Sequence, residues 1–168
     1  ELILRPVPVD STRLAELRSG GVDFAESLPL QDISRLRGSN EIVVSEKVGF
    51  RWEWFGFNVR EEYAGRSQKL RQAFQWAIDR EAIHHAAYFG TGSIGYDGIL
   101  PGTPFHDSDY KPFTRDVDKA KRLIDECGLD EPIELLAPVT SDAVKQRASQ
   151  IFMANAAEIG VKINTESI

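Results

Sequence analysis

Cysteine and long apolar runs are scarce in this sequence, and each scarcity excludes a class of protein. The single cysteine, Cys127, excludes an internal disulfide and a metal site built on a Cys-x-x-Cys pair. No stretch approaches the roughly 20 apolar residues that a membrane helix needs. The opening residues, ELILRPVPVD, do not have the basic and apolar regions of a signal peptide, and they read as a strand cut from a longer chain.

Positive charge is also sparse. The sequence has 20 Lys and Arg against 26 Asp and Glu, and its basic residues do not cluster into a block. The sequence therefore lacks the clustered positive charge typical of nucleic-acid-binding proteins, and no nucleic-acid partner is predicted. With 42% hydrophobic residues over 168 positions, the chain can build a globular core.

Apolar residues alternate between a period of two and a period of 3.6, which predicts an α/β fold. Ser11, Asp79 and Asp116 are the predicted helix N-caps, and Gly20 and Gly128 are predicted to end helices. Strands are predicted at 2–7, 22–25, 41–46, 50–58, 132–138 and 161–167, and helices at 11–20, 31–36, 67–78, 80–89, 116–128 and 141–159.

The stretch FGTGSIGY matches the dinucleotide-binding pattern G-x-G-x-x-G at Gly90, Gly92 and Gly95. That pattern works only where a strand precedes it and a helix begins at its last glycine. Here a predicted helix precedes it, and the following YDGILPGTPF cannot open a helix. The stretch is therefore predicted to be a loop that binds no phosphate.

Aromatic residues concentrate in FRWEWFGFN. In an extended segment, Trp52, Trp54 and Gly56 share one face, and Phe55 and Phe57 lie on the other. One interpretation is a central strand covered on both sides. The alternative is a ligand site in which the two tryptophans form a wall and Gly56 leaves room beside them.

Glu26 and Ser27 follow the predicted strand 22–25. Ligands of open α/β sheets gather at the carboxyl ends of strands, so both residues are candidate ligand contacts. A solvated turn is the competing interpretation.

No catalytic constellation is recognisable, and no metal site is predicted. The adjacent His84 and His85 point about 100° apart on a helix, which disfavours sharing one ion, and their spacing from Asp79 or Glu81 is not that of a zinc protease. A solvated helix surface is the favoured interpretation. Ser27 has no G-x-S-x-G context, and no histidine adjoins Cys127 to activate it.

Six stretches in order, LAELRSGGVDFA, WFGFN, LRQAFQWAIDREAI, GTGSIGYDGILPGTP, DVDKAKRLIDECGL and AAEIGVKINTES, resemble the family 5 extracellular solute-binding proteins. These are the dipeptide, oligopeptide and nickel-binding type of ABC importer component. RQAFQWAIDREAI is the most specific element. The departures are small: Val117 replaces a usual proline, and Cys127 a common alanine.

The resemblance implies an α/β fold of the periplasmic-binding-protein type (type II, cluster C), with mixed sheets flanked by helices. It also implies that the chain is an internal fragment of a longer, two-lobed protein. Residues 1–49 would belong to the first lobe and residues 50–168 to the second, beginning at the hinge strand. The family's usual anchors for peptide termini lie downstream, so none is carried onto this chain.

The resemblance further implies a function without chemistry: a monomer outside the cytoplasm captures a peptide or similar solute and delivers it to a membrane permease, without a cofactor. Two alternatives stay open. One is the ligand-sensing domain of a transcription regulator with the same fold, and the other is a metal-dependent hydrolase that uses Asp79, His84 and His85. The tryptophans would suit a peptide, a sugar, a metal chelate or haem equally.

Overall fold

The computed structural model describes residues 1–47, 52–96, 98–99, 103–107 and 109–167. The chain divides into two compact units, Glu1–Lys47 and Val48–Ile168. No helix within these described ranges is both long and apolar enough to span a bilayer.

The first unit contains two helices, α1 (Asp10–Ser19) and α2 (Leu30–Arg37). Its buried apolar side chains are Leu14, Ile33 and Leu36. Helix α1 ends as predicted at Gly20, whose left-handed φ of 73° lets its N–H reach the carbonyl groups of Glu16 and Leu17.

Several predictions for the first unit are wrong. Residues 2–7, 22–25 and 41–46 form no strand, because none of the described residues pairs with them in a ladder. Ser11 is not the cap of α1: the helix begins one residue earlier, and Val9 occupies the cap position without a side-chain hydrogen bond. Asp10 lies in the first turn and pairs with Arg13.

The second unit carries the remaining elements. After a short 3₁₀-helix at Ala64–Arg66, the chain forms α3 (Gln68–Ala77), α4 (Arg80–Tyr88), α5 (Val117–Asp125), β1 (Glu134–Val139), α6 (Ala143–Glu158) and β2 (Lys162–Ser167). The two strands pair in parallel, with Glu134 opposite Lys162 and Val139 opposite Ser167. The predicted α/β class is confirmed, and the one sheet among the described residues is parallel.

The core of the second unit lies where α3, α5 and α6 meet the two strands. Leu70, Phe74 and Ala77 recur at the predicted helical spacing and are fully buried. The other members are Ala73, Ala120, Ile124, Ile133, Phe152, Ala156, Ile159, Val161 and Ile163. At about 1.5–3 kcal/mol for each large buried side chain, this cluster supplies most of the unit's stability.

Side-chain caps fix where the helices of this unit begin. The carboxylates of Asp79, Asp116 and Asp142 accept hydrogen bonds from the third residue of α4, α5 and α6 at 2.8–2.9 Å. The predicted caps Asp79 and Asp116 are therefore confirmed. Helix α5 ends at Asp125, earlier than predicted, and Gly128 follows it in the left-handed region at φ 69°.

Asn155 holds the junction between α3 and α4. It is the one buried polar residue among the described positions, and its Oδ1 accepts a 2.9 Å hydrogen bond from the N–H of Asp79. Arg115 supports the same junction, since its Nε donates to the carbonyl of Ala77 at 3.1 Å and its Nη2 to Glu158 at 2.7 Å. Helix α6 therefore sets the angle at which α4 leaves α3.

Residues 90–96 follow α4 and open no helix. Gly90 and Gly92 have left-handed φ angles of 71° and 78°, which favour glycine. The predicted loop is confirmed, and the phosphate-binding interpretation of the glycine pattern has no structural support here, since a helix precedes the pattern and none begins at its last glycine.

Candidate functional site

The aromatic segment at 52–58 has two different faces. The ring of Phe55 stacks on Phe152 with centroids 4.0 Å apart and an interplanar angle of 8°, and Phe57 packs against Phe74 at 5.0 Å. Phe57 packs against the core, whereas Phe55 remains 40% exposed despite its stacking contact. The described part of the segment is not a strand, contrary to the prediction, and Phe50 and Arg51 lie outside the described residues.

The opposite face carries the two tryptophans, and it is exposed in this chain. Trp52 is 46% accessible and Trp54 is 70% accessible. Phe55, at 40% exposed, is close to Trp52, so the two faces differ in degree, with Trp54 the most exposed ring and Phe57 the best packed. Within this chain, the interpretation of a segment covered on both sides does not hold.

Glycines lie against both indole rings. A Cβ built on Gly56 would come within 2.2 Å of Cζ3 of Trp54, so only glycine lets that ring fold back over the backbone. A Cβ on Gly98 would lie 3.3 Å from Cη2 of Trp52. The predicted role of Gly56, leaving room for a ligand beside the tryptophans, stays a prediction, since the ring of Trp54 itself lies against Gly56.

The two exposed tryptophans belong to a segment that lies near the carboxyl end of β1 in the second unit. The Glu53 carboxylate is 3.7 Å from Nζ of Lys145 in the first turn of α6. Helix α6 begins four residues after β1 ends at Val139. The aromatic segment therefore runs beside the carboxyl end of β1, where open α/β sheets bind their ligands.

Two polar atoms near this end have no hydrogen-bond partner among the described residues. They are Oγ1 of Thr140, directly after β1, and Nη1 of Arg147, in the second turn of α6. The Arg147 guanidinium lies over the ring of Phe89 at 5.2 Å. Sequence reasoning missed both residues. The available signal was their position just after the predicted strand 132–138.

Glu26 and Ser27 lie in the first unit, and both are exposed. The strand that was expected to precede them is absent, so the argument from a strand's carboxyl end does not apply to them. Their loop is nevertheless held in place: Nη2 of Arg13 donates to the carbonyl of Ser27 at 2.6 Å, and Nη1 donates to the carbonyl of Val7 at 2.7 Å. Ser27 has a φ of 53°, unusual for a residue with a side chain.

The third tryptophan, Trp76, has a structural environment and serves as a contrast. Its ring meets Phe113 edge-on at 5.3 Å, and Nζ of Lys119 lies 3.5 Å from its centroid. Arg80 next to it lies over the rings of Tyr96 and Phe113. Burial lowers the pKa of the Arg80 guanidinium, and the electrostatic effect of Tyr96 offsets part of this decrease. These contacts anchor the loop after α4.

The residues named for a hydrolase do not assemble as a catalytic site. The Asp79 carboxylate caps α4 and lies 3.9 Å from Nε of Arg115, so it is already engaged. Cys127 is half-buried. One group of potential metal ligands occurs among the described residues, Glu81 with His84 and His85 on α4.

Solved structures share this fold. The chain superimposes on the periplasmic binding protein DppA from Helicobacter pylori, in complex with the peptide STSA, with a TM-score of 0.83 and 24% identity, over 98% of this chain and 32% of that one. A dipeptide-binding protein from Pseudoalteromonas in complex with Met-Leu gives a TM-score of 0.76 and 25% identity, over 96% and 33%. The fold is that of type II periplasmic binding proteins, as expected.

Sequence comparison gives the family. The profile of the bacterial extracellular solute-binding proteins, family 5 Middle, matches residues 1–168, and the chain belongs to this family. It is similar to heme-binding protein A of Haemophilus influenzae, with 29% identity over 97% of this chain and 30% of that protein. It is also similar to the dipeptide-binding protein of Escherichia coli, with 28% identity over 96% and 31%. The chain thus spans about a third of the length of these relatives.

Proposed function

We propose that this chain is part of an importer's substrate-binding component that captures a short peptide or peptide-like solute between two lobes. The observation that carries the proposal is the tryptophan pair, Trp52 and Trp54, exposed beside the carboxyl end of β1 while the neighbouring Phe57 packs against the core. Because the chain belongs to a family of solute-binding proteins, the most direct interpretation of this surface is that it contacts the solute.

The two units correspond to the two lobes in this proposal. Residues 1–49 belong to the first lobe and residues 50–168 to the second, with the aromatic segment at the crossing. The division of the chain at Lys47 and Val48 supports this assignment. Ligand capture then means that a solute makes more contacts in the closed form than in the open form, and so shifts the equilibrium towards closure.

Each candidate residue has a distinct role in the proposal. Trp52 and Trp54 provide a broad apolar wall, and Gly56 allows the second indole to lie flat against the backbone. From the other lobe, Glu26 and Ser27 offer a carboxylate and a hydroxyl to the solute. The unpartnered Thr140 and Arg147 add polar contacts near the carboxyl end of β1.

A short peptide fits this mixture of groups. Indole rings accept apolar and cationic side chains alike, a carboxylate such as that of Glu26 pairs with an amino group, and a guanidinium with a carboxylate. Similar proteins are named for dipeptides, glutathione and heme. In this proposal the protein catalyses no reaction. It acts outside the cytoplasm as a monomer without a cofactor, and it delivers its solute to a membrane permease.

The test is native mass spectrometry of the intact protein with an equimolar library of di- to pentapeptides. The proposal expects one peptide bound per protein, retained after buffer exchange, with a preference for a defined length. A protein that retains no peptide, but binds a sugar or haem from parallel panels, would overturn the peptide assignment and leave the capture mechanism standing. A protein that binds no solute and instead shifts a DNA fragment would overturn both in favour of a regulator.

A further inference from the structure

Helix α4 brings three metal-ligating side chains together on its surface. Glu81, His84 and His85 each offer an atom, and these atoms all lie within 4.8 Å of one another. Positions i+3 and i+4 both neighbour position i on a helix, one on either side, so two consecutive histidines can flank one carboxylate. The imidazole centroids are 5.3 Å apart. The two histidines thus come closer together than their separation of about 100° around the helix suggests.

The fold makes little use of these three side chains. Nε2 of His85 is 3.7 Å from Oε2 of Glu81, too long for a hydrogen bond. Nε2 of His84 is shielded from solvent and has no hydrogen-bond partner within the described part of the chain. The cap of α4 is Asp79 instead, and Asn155 and Arg115 hold the start of the helix. The triad is left free to bind something else.

We propose that Glu81, His84 and His85 form a binding site for a transition metal ion of the Zn²⁺ and Ni²⁺ type. Two imidazoles and one carboxylate are a donor set that these ions prefer, whereas Ca²⁺ and Mg²⁺ favour oxygen ligands. Three protein ligands leave a coordination position for water or for a donor from a bound molecule.

The side chains need only a small rearrangement to reach a metal. With bonds of about 2.0–2.1 Å, ligand atoms around a tetrahedral ion lie about 3.4 Å apart. The present separations of up to 4.8 Å must therefore shrink by roughly 1.4 Å. Glu81 and His85 can move that far, because their side chains are 69% and 71% exposed.

This site is separate in composition from the proposed solute site, which uses residues of the aromatic segment, Glu26 and Ser27, and Thr140 and Arg147, but none of the triad. It therefore goes beyond the proposed function, and its presence does not depend on which solute is captured. The metal would bind to the outside of α4, whose buried side, at Ala87, faces the interior of the unit.

The experiment is isothermal titration of ZnCl₂ into the intact protein, without an affinity tag, after chelator treatment and exchange into chelator-free buffer. We expect one equivalent of Zn²⁺ with micromolar affinity. His84→Asn and His85→Asn should each weaken binding at least ten-fold, since even loss of a partner outside the ligand shell costs about 10–100-fold in metal sites. Glu81→Gln should weaken it as well.

The matched control is His106→Asn, because His106 is the third histidine of the present sequence and is not part of the triad. It should leave Zn²⁺ affinity unchanged, and circular dichroism should show every variant folded. Titration with Co²⁺ adds a spectroscopic readout, with visible absorption bands that the His84 and His85 variants lose. An intact protein that binds no Zn²⁺, or triad variants that bind it as tightly as the wild type, would overturn the proposal.

Discussion

The two faces of the aromatic segment both carry large rings, but those rings differ in how closely they pack. On one face, Phe55 and Phe57 meet the rings of Phe152 and Phe74 at 4.0 and 5.0 Å, although Phe55 remains 40% exposed. On the other face, Trp52 and Trp54 remain 46% and 70% exposed. Large aromatic rings forgo favourable burial when they stay in water, which is why the exposed tryptophans are the candidate binding surface in the proposal above.

The difference between these faces separates stability from binding. Changes on the phenylalanine side should act on the free energy of unfolding, and changes on the tryptophan side on the free energy of solute binding. A phenylalanine variant that mainly weakens solute binding, or a tryptophan variant that mainly lowers stability, would contradict this separation. The separation can be measured because both sets of residues occur within one short segment and share one backbone.

The largest effect is expected from Phe74→Ala, on the core side. Phe74 is 1% exposed and contacts both Phe57 and Phe152, so its removal leaves a cavity at the centre of the ring cluster. The expected loss is about 3–5 kcal/mol of the free energy of unfolding. Urea unfolding followed by circular dichroism measures it. A loss under about 1 kcal/mol would show that the phenylalanine face is not a packed core.

Trp54→Ala should give the converse result. A well-placed tryptophan in a binding surface contributes about 2 kcal/mol or more, roughly a 30-fold change in affinity. Its 70% exposure leaves little burial to lose, so unfolding should change by less than about 1 kcal/mol. Titration with the peptide selected by the mass spectrometry experiment, together with urea unfolding, separates the two effects. Unchanged affinity with reduced stability would place Trp54 in the core.

Gly56→Ala tests whether the indole of Trp54 has to lie flat. The new Cβ would come within 2.2 Å of Cζ3 of Trp54, so the ring must rotate away. We expect about ten-fold weaker peptide binding, or about 1.4 kcal/mol.

Gly38→Ala is the control, because its φ of −82° and its nearest contact of 3.6 Å accept a methyl group. Equal affinities for both glycine variants and the wild type would show that the position of the ring is unimportant.

Lys145→Met tests the contact that ties the aromatic segment to α6. The Lys145–Glu53 pair spans 3.7 Å, and both side chains are more than a third exposed, so its contribution should be only about 0.2–1 kcal/mol. Methionine keeps the apolar stem. Raising the salt concentration should diminish the difference from wild type. A larger loss of peptide affinity than of stability would show that this pair positions the tryptophans.

The smallest effect is expected for the pKa of Glu134, on the exposed surface of the sheet. Hydrogen bonds from Lys162 and then Asn164 lower the pKa of Glu134 below its ordinary value of 4.5. A carboxylate with a lowered pKa stabilises the fold above pH 4.5, and this contribution is lost as the pH falls through the lowered pKa. Lys162→Met should therefore move the NMR titration midpoint of Glu134 upwards. An unmoved midpoint would exclude Lys162 as the main cause.

Sequence reasoning predicted the second unit better than the first. Helix α3 was predicted because Leu70, Phe74 and Ala77 repeat at helical spacing. Helices α4 and α5 were predicted with the aspartate caps Asp79 and Asp116. In the first unit, the alternation at 2–7 and 41–46 suggested strands that have no partner among the described residues. Apolar alternation specifies a strand only when a neighbour is available to pair with it.

For the candidate site, the sequence predicted the two faces but not the polar groups. Aromatic alternation identified Trp52 and Trp54 because side-chain direction in extended backbone follows directly from position. Thr140 and Arg147 could not be found in this way, since their lack of partners depends on packing among distant elements. The metal-ligand triad was set aside because adjacency on a helix was judged without the flexibility of the side chains.

The most direct test of the account compares the wild-type protein with the double variant Trp52→Ala, Trp54→Ala in native mass spectrometry, using the same peptide library. The account predicts that the double variant folds normally by circular dichroism and retains at least ten-fold less peptide. If the double variant instead unfolds, or folds and retains as much peptide as the wild type, the tryptophan face is not the solute-binding surface.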